Sequence, residues 1–345
     1  MNENQYAIFS ECGQPQDKLQ VVNGLIAEPG EGEVTVKMFA APINPADINF
    51  VQGVYGLKPV FPDARAGLEG FGVVSKSNSP ELASGDPVII LNGIGSWSRY
   101  LTAPATSFLK LDSTYFKEKK VDAVQVAMLK VNPLTALRVL EGYVDLNPGD
   151  WVVQNASNSG VGRCLIQISR QMGLKTINLV RRADVLRDEL ISIGADIVVS
   201  EDEDDVVKKV LEMTGGVRPV LASNAVGGES SLRLMDMLAP GGTMVTFGAM
   251  SKKSIKVPNG FLIFKGICLK GLWVTQWMKT ASRSEVEAAY EKLLNWMATG
   301  ELVQAVDSVY PLEMIRAAAA KAQEEFRKGK IVLDLTGGID SVIPY

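Results

Sequence analysis

The sequence contains no histidine among its 345 residues and only three cysteines. Without histidine there is no imidazole general base, no histidine-dependent triad and no histidine ligand for zinc. Cys12, Cys164 and Cys268 are far apart and odd in number, so they predict neither a disulfide framework nor a metal-type spacing. We therefore expect no metal site, and cysteines that stay reduced inside a cell.

Long hydrophobic runs and a strong net charge are also missing. No window holds the roughly 18 uninterrupted apolar residues of a membrane span. The chain enters a strand-like run at Tyr6–Phe9 with no recognisable targeting segment before it. The formal net charge is −4 and no basic stripe with interleaved aromatic residues occurs, which disfavours a nucleic-acid partner. These absences predict a cytoplasmic protein that binds neither membranes nor nucleic acid.

A serine- and glycine-rich loop follows the first strongly apolar strand of the second half of the chain. Residues 150–156 predict that strand, and Ser157–Gly162 predicts a tight turn that opens a helix. The amides at such a helix start can bind a pyrophosphate. Only Gly162 keeps a glycine of the G-x-G-x-x-G fingerprint, because Ser157 and Ser159 occupy the other two glycine positions. Taken alone, the loop is a weak signal, and an ordinary strand-to-helix turn is the alternative interpretation.

Two arginines stand about one βαβ unit after this loop. Lys175–Val180 predicts the next strand, and Arg181 and Arg182 follow at its end. An acidic residue at this place would bind the ribose 2′-hydroxyl of NADH. A guanidinium instead pairs with the 2′-phosphate of NADPH. The pattern therefore predicts a site for NADPH.

Strand-like and helical stretches alternate beyond the arginines. Further strands are predicted at 196–200, 219–226 and 242–248, and the acidic run 201–205 at the start of a helix that continues to Met213. This alternation predicts a doubly wound parallel sheet. The first 125 residues show short β-like runs, which predict a smaller β-rich domain. A helix over Leu312–Phe326 and a strand over Gly329–Leu335 are expected to return to that first domain.

The chain resembles the medium-chain dehydrogenase/reductase superfamily over nearly its full length. Within it, the chain looks most like the NADPH-dependent 2-enoyl thioester reductases that act on enoyl-CoA or enoyl-ACP. The motifs that carry the resemblance are Asn44–Asn49, Gln52–Gly56, Gly95–Trp97, Val131–Ala136, Gln154–Gly162, Gly241–Gly248 and Gly271–Trp277. The resemblance implies an α/β fold with a GroES-like β-rich domain over 1–125, completed by 278–345, and a Rossmann domain over 126–277.

The resemblance also implies the reaction and the site residues. The reaction is the reduction of the C2=C3 bond of a trans-2-enoyl thioester by NADPH. Tyr55 corresponds to the family tyrosine that donates a proton or binds the substrate carbonyl, and a phenol is a neutral donor suited to both. The residues expected to bind NADPH are Asn132, Ser157, Asn158, Ser159, Gly160, Val161, Gly162, Arg181, Arg182, Phe247, Gly248, Ala249, Met250, Leu272, Trp273, Val274 and Lys330.

Zinc-dependent alcohol dehydrogenases of the same superfamily differ from this chain at two positions. They carry cysteine where this chain has Asn44, and Gly-His-Glu where it has Gly67–Glu69. The resemblance therefore implies a zinc-independent enzyme. The thioester reductases often have asparagine at the position of Leu68, and Arg65 is unusual just before it. Because of these two differences, the resemblance does not define which enoyl thioesters the chain accepts.

Three other functions fit parts of the pattern. A quinone or enone reductase of the superfamily needs the same cofactor site without thioester recognition. A reductive carboxylase is disfavoured, since those enzymes resemble one another in a histidine that this chain lacks. A non-enzymatic NADPH-binding protein could keep the same cleft, although Tyr55 argues against it.

Two expectations concern solution behaviour. Residues 270–277 are interpreted as an apolar strand at the end of the sheet, where edge-to-edge pairing would give a homodimer. Packing on that strand is an alternative role for Trp273 and Trp277, and for Trp277 substrate contact stays open with equal weight. The absence of histidine predicts a flat activity profile between about pH 6 and 8.

Overall fold

The computed structural model describes residues 3–93, 95–119 and 121–337. The chain divides into two compact units, Met1–Val131 with Tyr290–Tyr345, and Asn132–Ala289. The domain boundaries predicted at 125/126 and 277/278 stay a prediction, and the last part of that assignment, residues 338–345, lies outside the described residues. Within the described ranges, no helix combines the length and apolarity that a bilayer crossing requires.

The first unit is rich in strands. These are β1 (Glu3–Phe9), β2 (Gln20–Leu25), β3 (Glu33–Ile43), β4 (Ala64–Arg65), β5 (Phe71–Ser77), β6 (Pro87–Ile90), β7 (Tyr100–Pro104), β8 (Phe108–Lys110), β15 (Val306–Pro311) and β16 (Lys330–Asp334). Its helices are α1 (Pro15–Lys18), α2 (Pro45–Val51), α3 (Thr114–Lys117), α4 (Ala123–Ala127) and α13 (Ile315–Lys321). The long helix α12 (Arg283–Ala298) contains the boundary between the units.

Two sheets surround the core of the first unit. A three-stranded sheet has the order β2-β1-β4, and a seven-stranded sheet has the order β15-β16-β3-β5-β6-β8 with β7 also paired to β3. The C-terminal strand β16 pairs antiparallel with β3, Ile331 opposite Ile43. The predictions of a β-rich first domain and of a C-terminal strand that returns to it are therefore confirmed.

The second unit alternates strands and helices. Its strands are β9 (Trp151–Gln154), β10 (Lys175–Val180), β11 (Ile197–Ser200), β12 (Leu221–Asn224), β13 (Thr243–Thr246) and β14 (Cys268–Gly271). Its helices are α5 (Asn132–Glu141), α6 (Gly160–Gln171), α7 (Ala183–Ser192), α8 (Val206–Met213), α9 (Gly228–Met237), α10 (Asn259–Ile263) and α11 (Val274–Thr280).

The six strands of the second unit form one parallel sheet in the order β11-β10-β9-β12-β13-β14. Apolar clusters cover both faces of this sheet. Each strand contributes to both clusters, because successive strand residues point to opposite sides. Leu179 packs in one cluster with Val199, while its neighbour Val180 packs in the other with Val198. Burial on both faces explains the nearly continuous apolar strands, and the predicted doubly wound sheet is confirmed.

The strand predicted over residues 270–277 is wrong beyond Gly271. Strand β14 ends there, and α11 begins at Val274 and contains Trp277. Val274 and Met278 are both buried, and a spacing of four places them on one face of a helix, whereas a short apolar run does not by itself distinguish a strand from a helix. Trp277 therefore packs as a helical residue, with the guanidinium of Arg138 4.8 Å from its ring centroid.

The helix predicted over Leu312–Phe326 is shorter in the structure. A 3-10 turn at Leu312–Met314 leads into α13, which ends at Lys321, and Phe326 has a φ of +61°. Ile315, Ala318 and Ala319 face the core, and after Ala322 no further residue of this segment belongs to that cluster. Since helices this short depend on tertiary packing, the helix ends where the buried face ends.

The acidic run precedes a helix that ends at Met213, as predicted. It does not cap that helix through a side chain. Asp205 occupies the N-cap position with a φ of +53° and makes no side-chain capping hydrogen bond. Glu201 is buried and accepts a hydrogen bond of 2.6 Å from the Ser230 hydroxyl. The Glu201 carboxylate is therefore a buried hydrogen-bond acceptor of the second unit and not a solvated charge at the helix start.

Candidate active site

The carboxyl ends of the parallel strands gather most of the residues that the sequence associates with NADPH. The sheet order reverses between β9 and β12, because the chain builds β9, β10 and β11 outward and then returns to the other side of β9. Open α/β sheets bind ligands outside the carboxyl ends of the strands at such a point. The serine-glycine loop follows β9 and therefore stands at this position.

The loop over residues 157–162 has the geometry of a phosphate-binding helix start. Ser159 is the N-cap of α6, and its hydroxyl accepts from the amide of Gly162 at 3.1 Å. The first amides of a helix have no partner inside the helix, so those of Gly160 and Val161 are suited to a phosphate. Ala156 enters the loop with a φ of +47°.

The two glycines of the loop are positions where a side chain would not fit. A Cβ atom at Gly162 would lie 2.6 Å from the carbonyl oxygen of Ser157, and one at Gly160 would lie 2.5 Å from Nδ2 of Asn132. The loop backbone is therefore packed closely, Gly162 against Ser157 and Gly160 against Asn132. The residues present fit the pyrophosphate of a dinucleotide.

Ser157 has a different environment from the other loop residues. It is fully buried, and its hydroxyl donates to the carbonyls of Gln154 and Leu179, both at 3.2 Å. Its amide donates to Leu179 as well. Asn158 is exposed, and its carbonyl accepts from the guanidinium of Arg163 at 3.1 Å. Ser157 thus joins the loop to two strands, while Asn158 lies on the solvent side.

Two polar residues at the end of β9 support the loop, and sequence reasoning gave them no role. Gln154 donates to the carbonyl of Gly162 at 3.0 Å and to Asn178 at 2.8 Å. Asn155 donates to Asn224 at 2.9 Å and accepts from the amide of Ala225 at 2.7 Å. The sequence did contain a signal for these two residues, because Gln154 and Asn155 are polar and stand at the end of an otherwise apolar strand. Asn132 begins α5, and its side chain lies against Gly160.

Arg181 and Arg182 directly follow β10 and are both exposed. Arg182 is the N-cap residue of α7 but makes no side-chain capping bond. The pair lies at the carboxyl end of the strand next to β9, where a ribose is bound in Rossmann sheets. The remaining predicted NADPH residues follow the last two strands: Phe247–Met250 follow β13, and Leu272, Trp273 and Val274 follow β14.

Tyr55 belongs to the first unit. Helix α2 ends at Val51, and the segment after it turns through Gly53, whose φ is +76°. A Cβ atom at Gly53 would lie 2.6 Å from the sulfur of Cys12. Tyr55 is half-buried and packs against the main core cluster of this unit. The ring is therefore supported by packing while the residue keeps exposed surface.

A buried ion cluster lies at the start of α2. It consists of two carboxylates and two ammonium groups around one amide: Asp47, Glu69, Lys130, Lys330 and Asn44. The structure places Lys330 here, with its ammonium donating to Oδ1 of Asn44. Glu69 accepts from Nδ2 of Asn44 at 2.7 Å and from the amide of Val131 at 2.9 Å.

Burial shifts the ionisation of this cluster. Desolvation raises the pKa of Asp47 to about 7 and also raises the pKa of Glu69, while it lowers the pKa of Lys130 to about 8. Lys330 opposes the shift of both carboxylates through its positive charge. Burial therefore moves the pKa of one carboxyl group and one ammonium group of the cluster toward neutrality.

The cluster does not fit a zinc ion. Asn44 uses both atoms of its amide within the cluster, and Leu68 provides no donor side chain. The two ammonium groups would also repel a divalent cation. Among the described residues, no three acidic, cysteine or histidine side chains are grouped to hold a metal ion.

Two family models match the chain. The "Alcohol dehydrogenase GroES-like domain" matches residues 30–113, and "Zinc-binding dehydrogenase" matches residues 160–298. Together with the β-rich first unit and the Rossmann sheet, these matches define a medium-chain dehydrogenase/reductase. The second model is named after zinc, but the donor set at Asn44 and Leu68 differs from a zinc site.

Similar proteins narrow the assignment. The mitochondrial enoyl-[acyl-carrier-protein] reductase of Xenopus tropicalis is 38% identical over 94% of each chain. The Etr1p complex with NADP and crotonyl-CoA has a TM-score of 0.86 at 29% identity, covering 97% of this chain and 100% of that one. Escherichia coli quinone oxidoreductase with NADPH has a TM-score of 0.84 at 26% identity, covering 96% and 99%. The chain belongs to the enoyl-[acyl-carrier-protein] reductase family.

The relatives overturn one expectation. The matching reductases from Xenopus tropicalis, rat and human are all named as mitochondrial. The predicted cytoplasmic location is therefore wrong. It was based only on absences, namely of a membrane span, a recognisable targeting segment and a basic stripe.

Proposed function

We propose that the chain catalyses the NADPH-dependent reduction of the C2=C3 bond of trans-2-enoyl thioesters to saturated acyl thioesters. The main support is its membership of the enoyl-[acyl-carrier-protein] reductase family over nearly the full length. The loop after β9 and the arginine pair after β10 agree with the cofactor, and the solved Etr1p complex contains NADP and crotonyl-CoA.

On this proposal, the second unit holds the cofactor through three groups of residues. Amides of Gly160 and Val161 bind the pyrophosphate, and Arg181 and Arg182 bind the 2′-phosphate. Asn132 orients the nicotinamide end. When bound, NADPH supplies the hydride that the β carbon of the substrate accepts. The Gln154 bond to Gly162 keeps the loop in place, so little reorganisation is needed on binding.

Tyr55 is proposed to act on the thioester carbonyl. Reduction at the β carbon places negative charge on the carbonyl oxygen of an enolate, and a hydroxyl hydrogen bond to that oxygen stabilises the charge. The α carbon then takes a proton, from the Tyr55 hydroxyl or from water. Because the chain has no histidine, this hydroxyl is the best candidate for the acid.

Substrate comparison tests the proposal. Purified protein with NADPH should reduce crotonyl-CoA and trans-2-decenoyl-CoA, with a kcat/KM at least about tenfold above that for 1,4-benzoquinone. The measurement is NADPH absorbance loss together with mass analysis of the saturated thioester. A higher kcat/KM for benzoquinone would favour a quinone reductase, which the E. coli structural neighbour makes the second candidate. If none of these compounds is turned over, the remaining hypothesis is a non-enzymatic NADPH-binding protein.

The acyl carrier is a finer part of the proposal. The relatives are named for acyl carrier protein, whereas the solved Etr1p complex contains a CoA ester. We propose that the chain accepts an enoyl group on either carrier, because the bond that is reduced lies in the enoyl thioester group, which both carriers present. Comparing kcat/KM for crotonyl-CoA and crotonyl-ACP would rank the two.

A homodimer is proposed through the free edge of the parallel sheet. Strand β14 pairs only with β13 among the described strands, and all four of its residues are exposed. Ile263 and Phe264, which precede it in the chain, are 70% and 86% exposed, and a free edge and exposed apolar residues both favour association. A solved relative from Candida tropicalis is described as an Etr1p/Etr2p heterodimer.

Light scattering should therefore give about twice the chain mass of 37.2 kDa at micromolar concentration. Phe264→Glu, which replaces this exposed apolar side chain with a charge, should shift the protein toward the monomer without loss of NADPH binding. A monomeric wild-type protein under the same conditions would contradict the dimer.

A further inference from the structure

Buried polar side chains line the carboxyl edge of the parallel sheet in the second unit. Glu201 directly follows β11 and Asn155 directly follows β9, while Asn224 and Thr246 are the last residues of β12 and β13. The strands are parallel, so these residues lie at one edge, the edge of the predicted cofactor site. Glu201, Asn155 and Asn224 are 8%, 2% and 0% exposed. Such groups need hydrogen-bond partners inside the protein.

Ser230, in the first turn of α9, connects Glu201 to Asn155. Its hydroxyl donates to Oε2 of Glu201 at 2.6 Å and accepts from Nδ2 of Asn155 at 3.0 Å. The same Nδ2 donates to Oδ1 of Asn224 at 2.9 Å, and Nδ2 of Asn224 donates to the Thr246 hydroxyl at 3.1 Å. These five side chains form one uninterrupted hydrogen-bonded series, which we call the edge network.

The Glu201 carboxylate sets the direction of these hydrogen bonds. A carboxylate only accepts, so the Ser230 hydroxyl donates to it and is left to accept from Asn155. Asn155 then presents its oxygen to the amide of Ala225, at 2.7 Å. Within the part of the chain that the structure describes, no lysine or arginine pairs with Glu201. Its contact with the first turn of α9 places it where a helix dipole favours negative charge.

One end of the edge network supports the segment after β13. The carbonyl of Asn224 accepts from the amide of Phe247 at 3.1 Å, and the carbonyl of Ala225 accepts from the amide of Met250 at 3.0 Å. A Cβ atom at Gly248 would lie 2.9 Å from the same carbonyl oxygen of Ala225. The predicted NADPH residues of this segment therefore pack directly on backbone that the network holds.

The other end of the edge network lies next to the arginine pair in the sheet. The amide of Glu201 donates to the carbonyl of Val180 at 2.9 Å, and Arg181 is the next residue of that strand end. Between the two ends, Asn155 precedes the loop over residues 157–162. The network thus connects the backbone segments predicted to bind NADPH after four neighbouring strands.

We infer that Glu201 is a positioning residue for NADPH, whose carboxylate orients Ser230 and Asn155 and so holds the segments after β9, β12 and β13 in the arrangement that binds the cofactor. This inference rests on the proposed function. Hydrogen bonds formed before binding lower the cost of ordering these segments around a ligand. NADPH and NADH share the pyrophosphate and both ribose rings, so loss of the network should weaken both cofactors by the same factor.

The test compares Glu201→Met and Ser230→Ala with Ser231→Ala. Ser231 is the matched control, because it lies in the same helix, is 0% exposed, and its hydroxyl donates to the carbonyl of Gly228 at 2.6 Å, outside the edge network. The Kd for each cofactor is measured by fluorescence titration, together with the melting temperature. Glu201→Met and Ser230→Ala should each raise both Kd values about tenfold, the scale of one hydrogen bond to a charged group. Ser231→Ala should leave both Kd values within about twofold of wild type.

Two results would overturn the inference. A lower melting temperature with unchanged Kd values would mean that the network serves stability alone. A rise in the Kd for NADPH without a rise for NADH would place the effect at the 2′-phosphate, as expected for Arg181 and Arg182.

A double-mutant cycle tests whether Glu201 acts through Ser230. Because both belong to one series of hydrogen bonds, Glu201→Met with Ser230→Ala should raise the NADPH Kd by no more than about twofold beyond either single variant. A product of the two single effects would show two independent contributions and would contradict the inference.

Glu201→Gln covers a failure of Glu201→Met to fold. Glutamine keeps an acceptor oxygen for the Ser230 hydroxyl, so its NADPH Kd should stay within about threefold of wild type. A Kd as high as that of Ser230→Ala would refute the acceptor role of residue 201. Wild type is assayed on crotonyl-CoA in parallel; its failure to reduce that ester would refute the proposed function, whereas the Kd values of the variants decide the role of Glu201.

Discussion

Replacing Arg181 and Arg182 together with alanine should weaken NADPH binding far more than NADH binding. Two charge-assisted hydrogen bonds of about 1.5 to 3 kcal/mol each would be lost to the 2′-phosphate alone. The sum corresponds to roughly 10² to 10⁴-fold in the ratio of the two dissociation constants. Both side chains are exposed and Arg182 makes no capping bond in α7, so the fold should tolerate the change.

The measurement is the Kd for each cofactor by fluorescence titration, at one fixed ionic strength because exposed charges are screened by salt. Arg187→Ala is the matched control, since it removes another exposed arginine from α7, and it should leave the NADPH to NADH ratio nearly unchanged. Equal weakening of both cofactors in the double variant would show that the pair does not bind the 2′-phosphate.

Tyr55→Phe should lower the turnover of crotonyl-CoA by roughly 10²-fold or more, the scale for losing one well-placed donor or proton-transfer group. NADPH affinity should barely change, because the substitution leaves the predicted NADPH loop and the arginine pair unaltered. The ring packs against the core cluster and stays in place, so the melting temperature should remain within a few degrees.

Tyr310→Phe provides the control for this substitution. Tyr310 is also half-buried and packs against the same core cluster, but lies in β15, away in sequence from the family motif. Its loss of a hydroxyl should leave turnover unchanged. Near-normal turnover of Tyr55→Phe would leave water or a hydroxyl such as that of Thr135 as the proton source. A loss of both stability and NADPH binding would indicate a packing role for Tyr55.

The flat pH profile expected for this chain stays a prediction. It followed from the absence of histidine, whose unperturbed pKa lies closest to neutrality. Burial, however, raises the pKa of Asp47 to about 7 and lowers that of Lys130 to about 8. An inflection near neutrality is therefore compatible with this chain. Composition identifies groups by their ordinary pKa, whereas burial decides the pKa in the protein.

Local pattern was sufficient for the first strands and the first helix start of the Rossmann part of the chain. Strand β10 occupies Lys175–Val180, the residues predicted for it, because a strand buried on both faces is a continuous apolar run. The helix start after the serine-glycine loop was likewise predictable from the loop itself. The run at 270–277 was ambiguous, since the same apolar residues suit a strand or a helix, and packing of Val274 and Met278 selected the helix.

The sequence by itself determined the fold class, the helix start after the serine-glycine loop and the absence of histidine chemistry. These depend on residues that are close in the chain or on composition, so their spacing carries the information. Only the tertiary structure decided the buried ion cluster, which joins Asn44, Asp47, Glu69, Lys130 and Lys330 from segments up to 286 positions apart. No periodicity connects those segments. They meet because β16 pairs with β3, and burial then makes their charges depend on one another.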